Sequence, residues 1–175
     1  MIAAKRQAGL TIIEMLLSLV LMSLLLTAIA AATRASLSSY DQNAKSAAVQ
    51  QAARSLLMRM RREIRTAEAV DAQAESGNLV LSPPAGTGID QIRYEYDAGT
   101  QSLYYHRTVG GETTTDTILD GSSTVQITGF SVAYETAVVG EVTCTRRVVV
   151  TMALGTGGEM RPVVCSAVPR RNQEY

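Results

Sequence analysis

Glu14 is the residue near the amino terminus whose chemistry most needs a partner. It precedes eighteen uncharged residues, 15–32, and a carboxylate in a membrane helix costs on the order of 3 kcal/mol unless it is paired. If the chain were cut after Gly9, Leu10 would carry a new α-amine one helical turn from Glu14 and on the same side. That amine could pair with Glu14 of its own chain, or with Glu14 of a neighbour in a stacked assembly.

The apolar segment that would position Glu14 is long enough to cross a bilayer. Residues 10–33 would form roughly 36 Å of helix at about 1.5 Å per residue, against a hydrocarbon core of about 30 Å. We therefore predict the transmembrane half of a helix over residues 10–33.

The residues around the apolar segment resemble a known processing signal. Lys5 and Arg6 precede Gly9, and the run Gly9-Leu10-Thr11-Ile12-Ile13-Glu14 resembles the class III signal of type IV prepilins and type II secretion pseudopilins. The resemblance implies a leader peptide over residues 1–9, removed by a prepilin peptidase that cleaves after Gly9 and N-methylates Leu10. Many pilins carry a proline in this helix, whereas residues 10–76 contain neither proline nor glycine.

Two other kinds of export segment are alternatives. An ordinary secretory signal would use Lys5 and Arg6 as its charged region and a small-residue cleavage site at Ala28-Ile29-Ala30 or Ala30-Ala31-Ala32. Its apolar core would normally be shorter, at about 7–15 residues. A plain signal anchor would explain the apolar length but would leave Gly9 and Glu14 without a role.

The chain stays rich in helix formers beyond the apolar segment. An amphipathic helix half is predicted over residues 34–76, with helix to about Asp71 and no breaker before Gly77. Its apolar stripe comprises Leu56, Met60, Ile64 and Ala67. The opposite, arginine-rich face is either solvated or touches acidic partners; it comprises Arg54, Arg59, Arg61, Arg62, Arg65, Glu63 and Glu68.

Residues 77–175 are predicted to form a β-rich domain. Residues 92–96 and 103–108 form a predicted hairpin around Asp97-Ala98-Gly99-Thr100. A strand over 125–134 with a kink near Gly129, and a strand over 148–154 with a period of two, precede a last strand near Cys165. The fold class is therefore α+β, a long N-terminal helix on a small antiparallel sheet, and the resemblance implies the lollipop shape of pilins.

Cys144 and Cys165 are the only two cysteines. An oxidising compartment would let them form a disulfide, and the alternative is two separate buried thiols. In a simple hairpin register Cys144 lies nearer residue 169 than Cys165, so a bridge would require a bulge or a shifted register.

Little in the sequence points to catalysis, metal binding or nucleic acid. His106 is the only histidine, and it lies in a predicted hairpin without a serine elbow or an acid partner. Glu112, Asp116, Asp120 and Glu135 lack the alternating pattern of a calcium loop. The 16 basic and 16 acidic residues cancel, so no global field attracts nucleic acid. We therefore expect that the protein is not an enzyme and that it binds neither a cofactor nor a metal.

The sequence thus predicts a structural subunit. The resemblance implies a minor pilin or pseudopilin, loosely of the J type, anchored in the inner membrane with a cytoplasmic N-terminus and an exported C-terminal domain. Its implied partners are other pilin or pseudopilin subunits and the prepilin peptidase. The alternative is a signal-anchored monomeric binding protein that never polymerises.

Overall fold

A computed structural model describes residues 11–72, 74–75, 77–139 and 142–170. One helix, α1 (Ile12–Thr66), precedes the strands β1 (Ala69–Val70), β2 (Asn78–Ser82), β3 (Gln91–Asp97), β4 (Ser102–Val109), β5 (Glu112–Leu119), β6 (Gln126–Val139), β7 (Val142–Thr156) and β8 (Glu159–Ala167). The strands form a five-stranded sheet in the order β1-β2-β3-β4-β5 and a three-stranded sheet in the order β6-β7-β8. Every pairing is antiparallel, so the predicted α+β class is confirmed.

Contacts within the chain divide it into two units, Met1–Ala44 and Lys45–Tyr175. The described part of the first unit is the N-terminal part of α1, whose apolar side chains are exposed. By length and composition, α1 contains a segment able to cross a membrane, and no residue of that segment is buried within the chain. The apolar character predicted for this helix is therefore confirmed.

The second unit has one hydrophobic core, to which the helix and both sheets contribute. The helix residues from position 45 onward supply Val49, Ala53, Leu56, Met60 and Ile64 to it, so the predicted stripe is confirmed. The five-stranded sheet contributes Leu79, Leu81, Ile92, Tyr94, Leu103 and Tyr105, and the three-stranded sheet contributes Ile127, Val148, Val150, Met152 and Leu154. At about 25 cal/mol per Å² of buried apolar surface, such side chains dominate the stability of the unit.

Helix α1 ends at Thr66, short of the end predicted near Asp71. The Ala67 N–H still donates to the Glu63 carbonyl at 2.8 Å, but the Glu68 N–H donates to the Ser82 carbonyl, also at 2.8 Å. The following Ala69–Val70 is buried and pairs with β2. The backbone therefore leaves the helix because its next hydrogen bonds are made with the sheet.

The strand predictions hold where side chains alternate. β3 and β4 form the predicted hairpin, with Asp97 accepting from the Gly99 N–H at 2.8 Å in its turn. β6 has a register shift between Ile127 and Gly129, at the predicted kink. β7 and β8 turn at Gly157 and Gly158, whose positive φ angles of 62° and 92° suit glycine.

Candidate functional site

Glu14 closes a capping box with Thr11 at the start of α1. The Glu14 N–H donates to the Thr11 hydroxyl at 3.3 Å, while Glu14 Oε2 accepts from the Thr11 N–H at 3.4 Å. A threonine at the N-cap and a glutamate three residues later satisfy two free N–H groups of a first helical turn in this way. The carboxylate also lies next to the positive end of the helix dipole.

The capping box is a feature that the sequence analysis missed. Its signal is present, because a Thr-x-x-Glu pattern before an apolar run marks a helix start. Glu14 therefore has a structural task within its own chain, in addition to the predicted pairing with an amine. The other two predicted processing residues, Gly9 and Leu10, lie outside the described residues.

The hydroxyl groups of the apolar segment are all bonded within the helix. Ser18 donates to the Glu14 carbonyl and Ser23 to the Val20 carbonyl, each at 2.8 Å. Thr27 and Thr33 donate to carbonyls of their own preceding turns at 2.8 and 2.9 Å. Such bonds hide the hydroxyl dipole in an apolar medium, where an unpaired polar group is costly. Between Met15 and Thr33, no described polar side chain needs water.

One family model matches the same region: the prokaryotic N-terminal methylation motif, over residues 4–30. The chain carries this methylation motif. The match covers Gly9, Leu10, Glu14 and most of the apolar run, and with the long apolar helix it fits the type IV pilin-like family. In general terms the motif implies processing by a prepilin peptidase and assembly with other pilin subunits. No curated protein and no solved structure matches the chain.

The two cysteines are not brought together. Both are free thiols. Cys165 pairs across the sheet with Val150, six residues along β7 from Cys144, which is roughly 20 Å at about 3.4 Å per residue. Because a disulfide needs Cα atoms within about 7 Å, the structure does not contain the bridge that the sequence left open. Cys165 instead faces α1, with Sγ 4.0 Å from the Leu57 carbonyl, and burial raises the pKa of its thiol.

His106 lies among strand side chains, and the prediction that it has no acidic neighbour is wrong, because Glu95 lies beside it on β3. Its Nδ1 is 2.9 Å from the Thr115 hydroxyl, and its Nε2 is 3.1 Å from Glu95 Oε2 without the alignment of a hydrogen bond. Among the described residues, no three carboxylate, histidine or cysteine side chains group as metal ligands. Asp120 accepts hydrogen bonds from Ser122 in its own turn, and Glu135 pairs with Arg147.

A polar cluster joins the second half of α1 to the five-stranded sheet. The Tyr94 hydroxyl donates to Glu63 Oε2 at 2.5 Å, and Arg59 pairs with Glu63 Oε1 at 3.2 Å. The Arg59 guanidinium also lies 4.0 Å from the centre of the Tyr105 ring. Burial, and then the neighbouring Glu63 carboxylate, raise the pKa of Tyr94 above its usual value. The cluster therefore links the helix to the sheet through groups that are bonded to one another.

We expect Tyr94→Phe to lower the free energy of unfolding by about 1.5–3 kcal/mol at neutral pH, the usual effect of a hydrogen bond to a charged group. Above about pH 10 the tyrosine ionises in the unfolded chain before it does so in the folded one. The stability of the wild type should therefore fall with rising pH, and its advantage over Tyr94→Phe should shrink.

Urea unfolding of the full chain in detergent micelles, at neutral pH and above pH 10, measures both effects. The matched control is Tyr104→Phe, since the half-buried Tyr104 hydroxyl has only a 3.5 Å contact with Thr100. Equal losses in the two variants would contradict the importance of the bond between Tyr94 and Glu63.

Proposed function

We propose that the chain is a structural, minor pilin or pseudopilin subunit, cleaved after Gly9 and assembled into a type IV pilus or a type II secretion pseudopilus. The single observation that carries the proposal is the methylation motif at residues 4–30, which leads into a helix able to cross a membrane. Its role is non-enzymatic, and its partners are the prepilin peptidase and other subunits. No cofactor enters the proposal.

The location follows from the same proposal. Before assembly, residues 10–33 lie in the inner membrane, with the N-terminus in the cytoplasm and residues 77–175 exported. Exposed apolar side chains from Ile12 to Ile29 and the internally bonded hydroxyls support an apolar environment for this segment. After assembly, helix–helix packing replaces lipid around it.

The mature N-terminus tests the proposal. In cells that contain a prepilin peptidase, N-terminal sequencing and intact mass should show a chain that begins at N-methylated Leu10. Gly9→Val should leave the precursor uncleaved, because a branched side chain replaces the glycine at the cleaved bond. A wild-type chain that begins at Met1 would indicate a signal anchor, and one that begins at Thr33 a secretory signal; either result would refute the proposal.

A further inference from the structure

A basic groove runs along the second half of α1, beside β8. It consists of two adjoining depressions of roughly 690 and 430 Å³ that share Met58 and Arg61. Its helix side extends from Ala47 to Thr66, about 28 Å at 1.5 Å per residue. The opposite side is formed by residues 163–165 of β8 and by Arg170.

Five arginines line the basic groove, and no carboxylate of the part of the chain that the structure describes lines either depression: Arg54, Arg61, Arg62, Arg65 and Arg170. Among the ion pairs of the described residues, none includes any of the five. Arg59, on the same helix, differs because Glu63 and the Tyr105 ring hold it. On the arginine-rich face that the sequence predicts, Arg59 is thus held by neighbours, whereas the other arginines form a concentrated positive surface.

The basic groove also exposes apolar side chains. Met58 and Val164 are each 60% exposed, on opposite sides of the groove, and the half-buried Leu57 and Val163 lie between them and the core. Exposed apolar side chains beside arginines that form no ion pair are typical of surfaces that bind a partner. The same recess can therefore hold apolar and anionic groups together.

We propose that the basic groove binds an acidic segment of a partner protein. Carboxylates of that segment pair with Arg61, Arg62 and Arg170, since the guanidinium fork donates two parallel hydrogen bonds to a carboxylate. Apolar side chains between those carboxylates pack on Met58 and Val164. An extended segment of about eight residues spans the length of the groove at about 3.4 Å per residue.

The shape of the site favours a protein segment over a membrane surface. Headgroups of a flat bilayer reach protruding cations, whereas Arg54 and Arg61 border a depression that Leu57 and Ala53 also line. A lipid surface would also leave Val163 and Val164 beside charged headgroups. The inference needs neither cleavage after Gly9 nor a charge pair at Glu14, so it stands or fails separately from the proposed function.

Photo-crosslinking in the full-length chain tests the inference in cells that make it natively. A photoreactive phenylalanine at Met58 or Val164 should give an adduct with another protein, whereas one at the exposed Thr117 on β5 should not give the same adduct. Mass spectrometry should place the crosslink in a segment rich in aspartate and glutamate. A partner captured through a segment without acidic residues, or no adduct, would overturn the inference.

Charge reversal supplies the second arm. The double substitution Arg61→Glu with Arg62→Glu should reduce the yield of the adduct at least about tenfold, which corresponds to a tenfold higher dissociation constant. Lysine substitution of the partner's acidic residues should restore that yield. Arg107→Glu with Arg146→Glu is the matched control, since both of these arginines are exposed and neither lines the groove.

Two further measurements complete the test. Thermal unfolding of each purified variant in micelles should match that of the wild type, because all four positions are exposed. Sedimentation with phosphatidylglycerol vesicles should be equal for the groove variant and its control. Vesicle binding that depends on Arg61 and Arg62, together with an adduct that does not, would assign the groove to a membrane surface and overturn the inference.

Discussion

Replacement of Glu14 by glutamine is expected to lower assembly of the proposed filament at least about a hundredfold, because removing one member of a buried ion pair costs about 3–5 kcal/mol. The substitution keeps the side chain nearly the same size, and glutamine can still close a capping box with Thr11. It removes only the charge that would pair with the Leu10 amine. Membrane insertion should be unchanged, since a neutral side chain is easier to place in lipid.

Two further variants separate the charge of Glu14 from its capping role. Glu14→Leu removes both and should be as defective as Glu14→Gln. Thr11→Ala removes the N-cap hydroxyl, at a cost of about 0.5–2 kcal/mol, and should have a much smaller effect. The measurements are the yield of sheared filament or of secreted substrate, and the membrane-bound fraction of the chain. Normal assembly of Glu14→Gln, combined with a defective Thr11→Ala, would assign Glu14 to helix capping alone.

Truncation of Met60 is expected to produce a large loss of stability in the unit that begins at Lys45. Met60 is 0% exposed, and it lies on the apolar stripe that faces the sheets. Met60→Ala removes buried atoms and leaves a cavity, which typically lowers the free energy of unfolding by about 2–5 kcal/mol. Urea unfolding of the full chain in micelles should show a lower midpoint with an unchanged slope.

Met58 provides the control on the same helix. It is 60% exposed, so Met58→Ala should change the free energy of unfolding by no more than about 0.5 kcal/mol. Both variants lose the same atoms and gain the same helix former, and they differ only in burial. Comparable losses at the two positions would show that burial in the core does not account for the effect of Met60→Ala.

Much of the fold could be predicted because burial imposes a period on the sequence. The stripe through Leu56, Met60 and Ile64 repeats at the helical period, and Val148, Val150 and Met152 alternate as a half-buried strand requires. The turn at Asp97 was predictable for another reason. An aspartate side chain two residues before a glycine can accept a hydrogen bond from the backbone N–H of its own turn. In each case the local sequence contains the whole cause of the local structure.

Other features depend on contacts that no local pattern shows. β5 is an edge strand whose residues from Glu112 to Thr117 are all exposed, so it lacks the alternation by which a strand is recognised. The end of α1 at Thr66 depends on the distant Ser82 carbonyl. Arg170 joins the basic groove from more than a hundred residues along the chain. These features follow only from the packed arrangement.

Within the candidate site, the sequence contains the signals of both the processing motif and the capping box, through Gly9 to Glu14 and through the Thr-x-x-Glu pattern. The roles of Gly9, Leu10 and Glu14 are implied by the resemblance to prepilin signals, and the matched family model covers all three residues. The bond between Glu14 and Thr11 does not follow from the interpretation of Glu14 as one half of an ion pair. The separation of the two cysteines follows from the register of β7 and β8, which a hairpin count can only approximate.

The bonded hydroxyls of the apolar segment have a consequence for how the segment changes surroundings. Ser18, Ser23, Thr27 and Thr33 keep their hydrogen bonds with carbonyls of the same helix, whatever lies outside it. Exchanging lipid tails for the side chains of neighbouring helices therefore breaks none of these bonds. The four hydroxyls thus neither oppose nor favour the transfer of the segment from one apolar medium to the other.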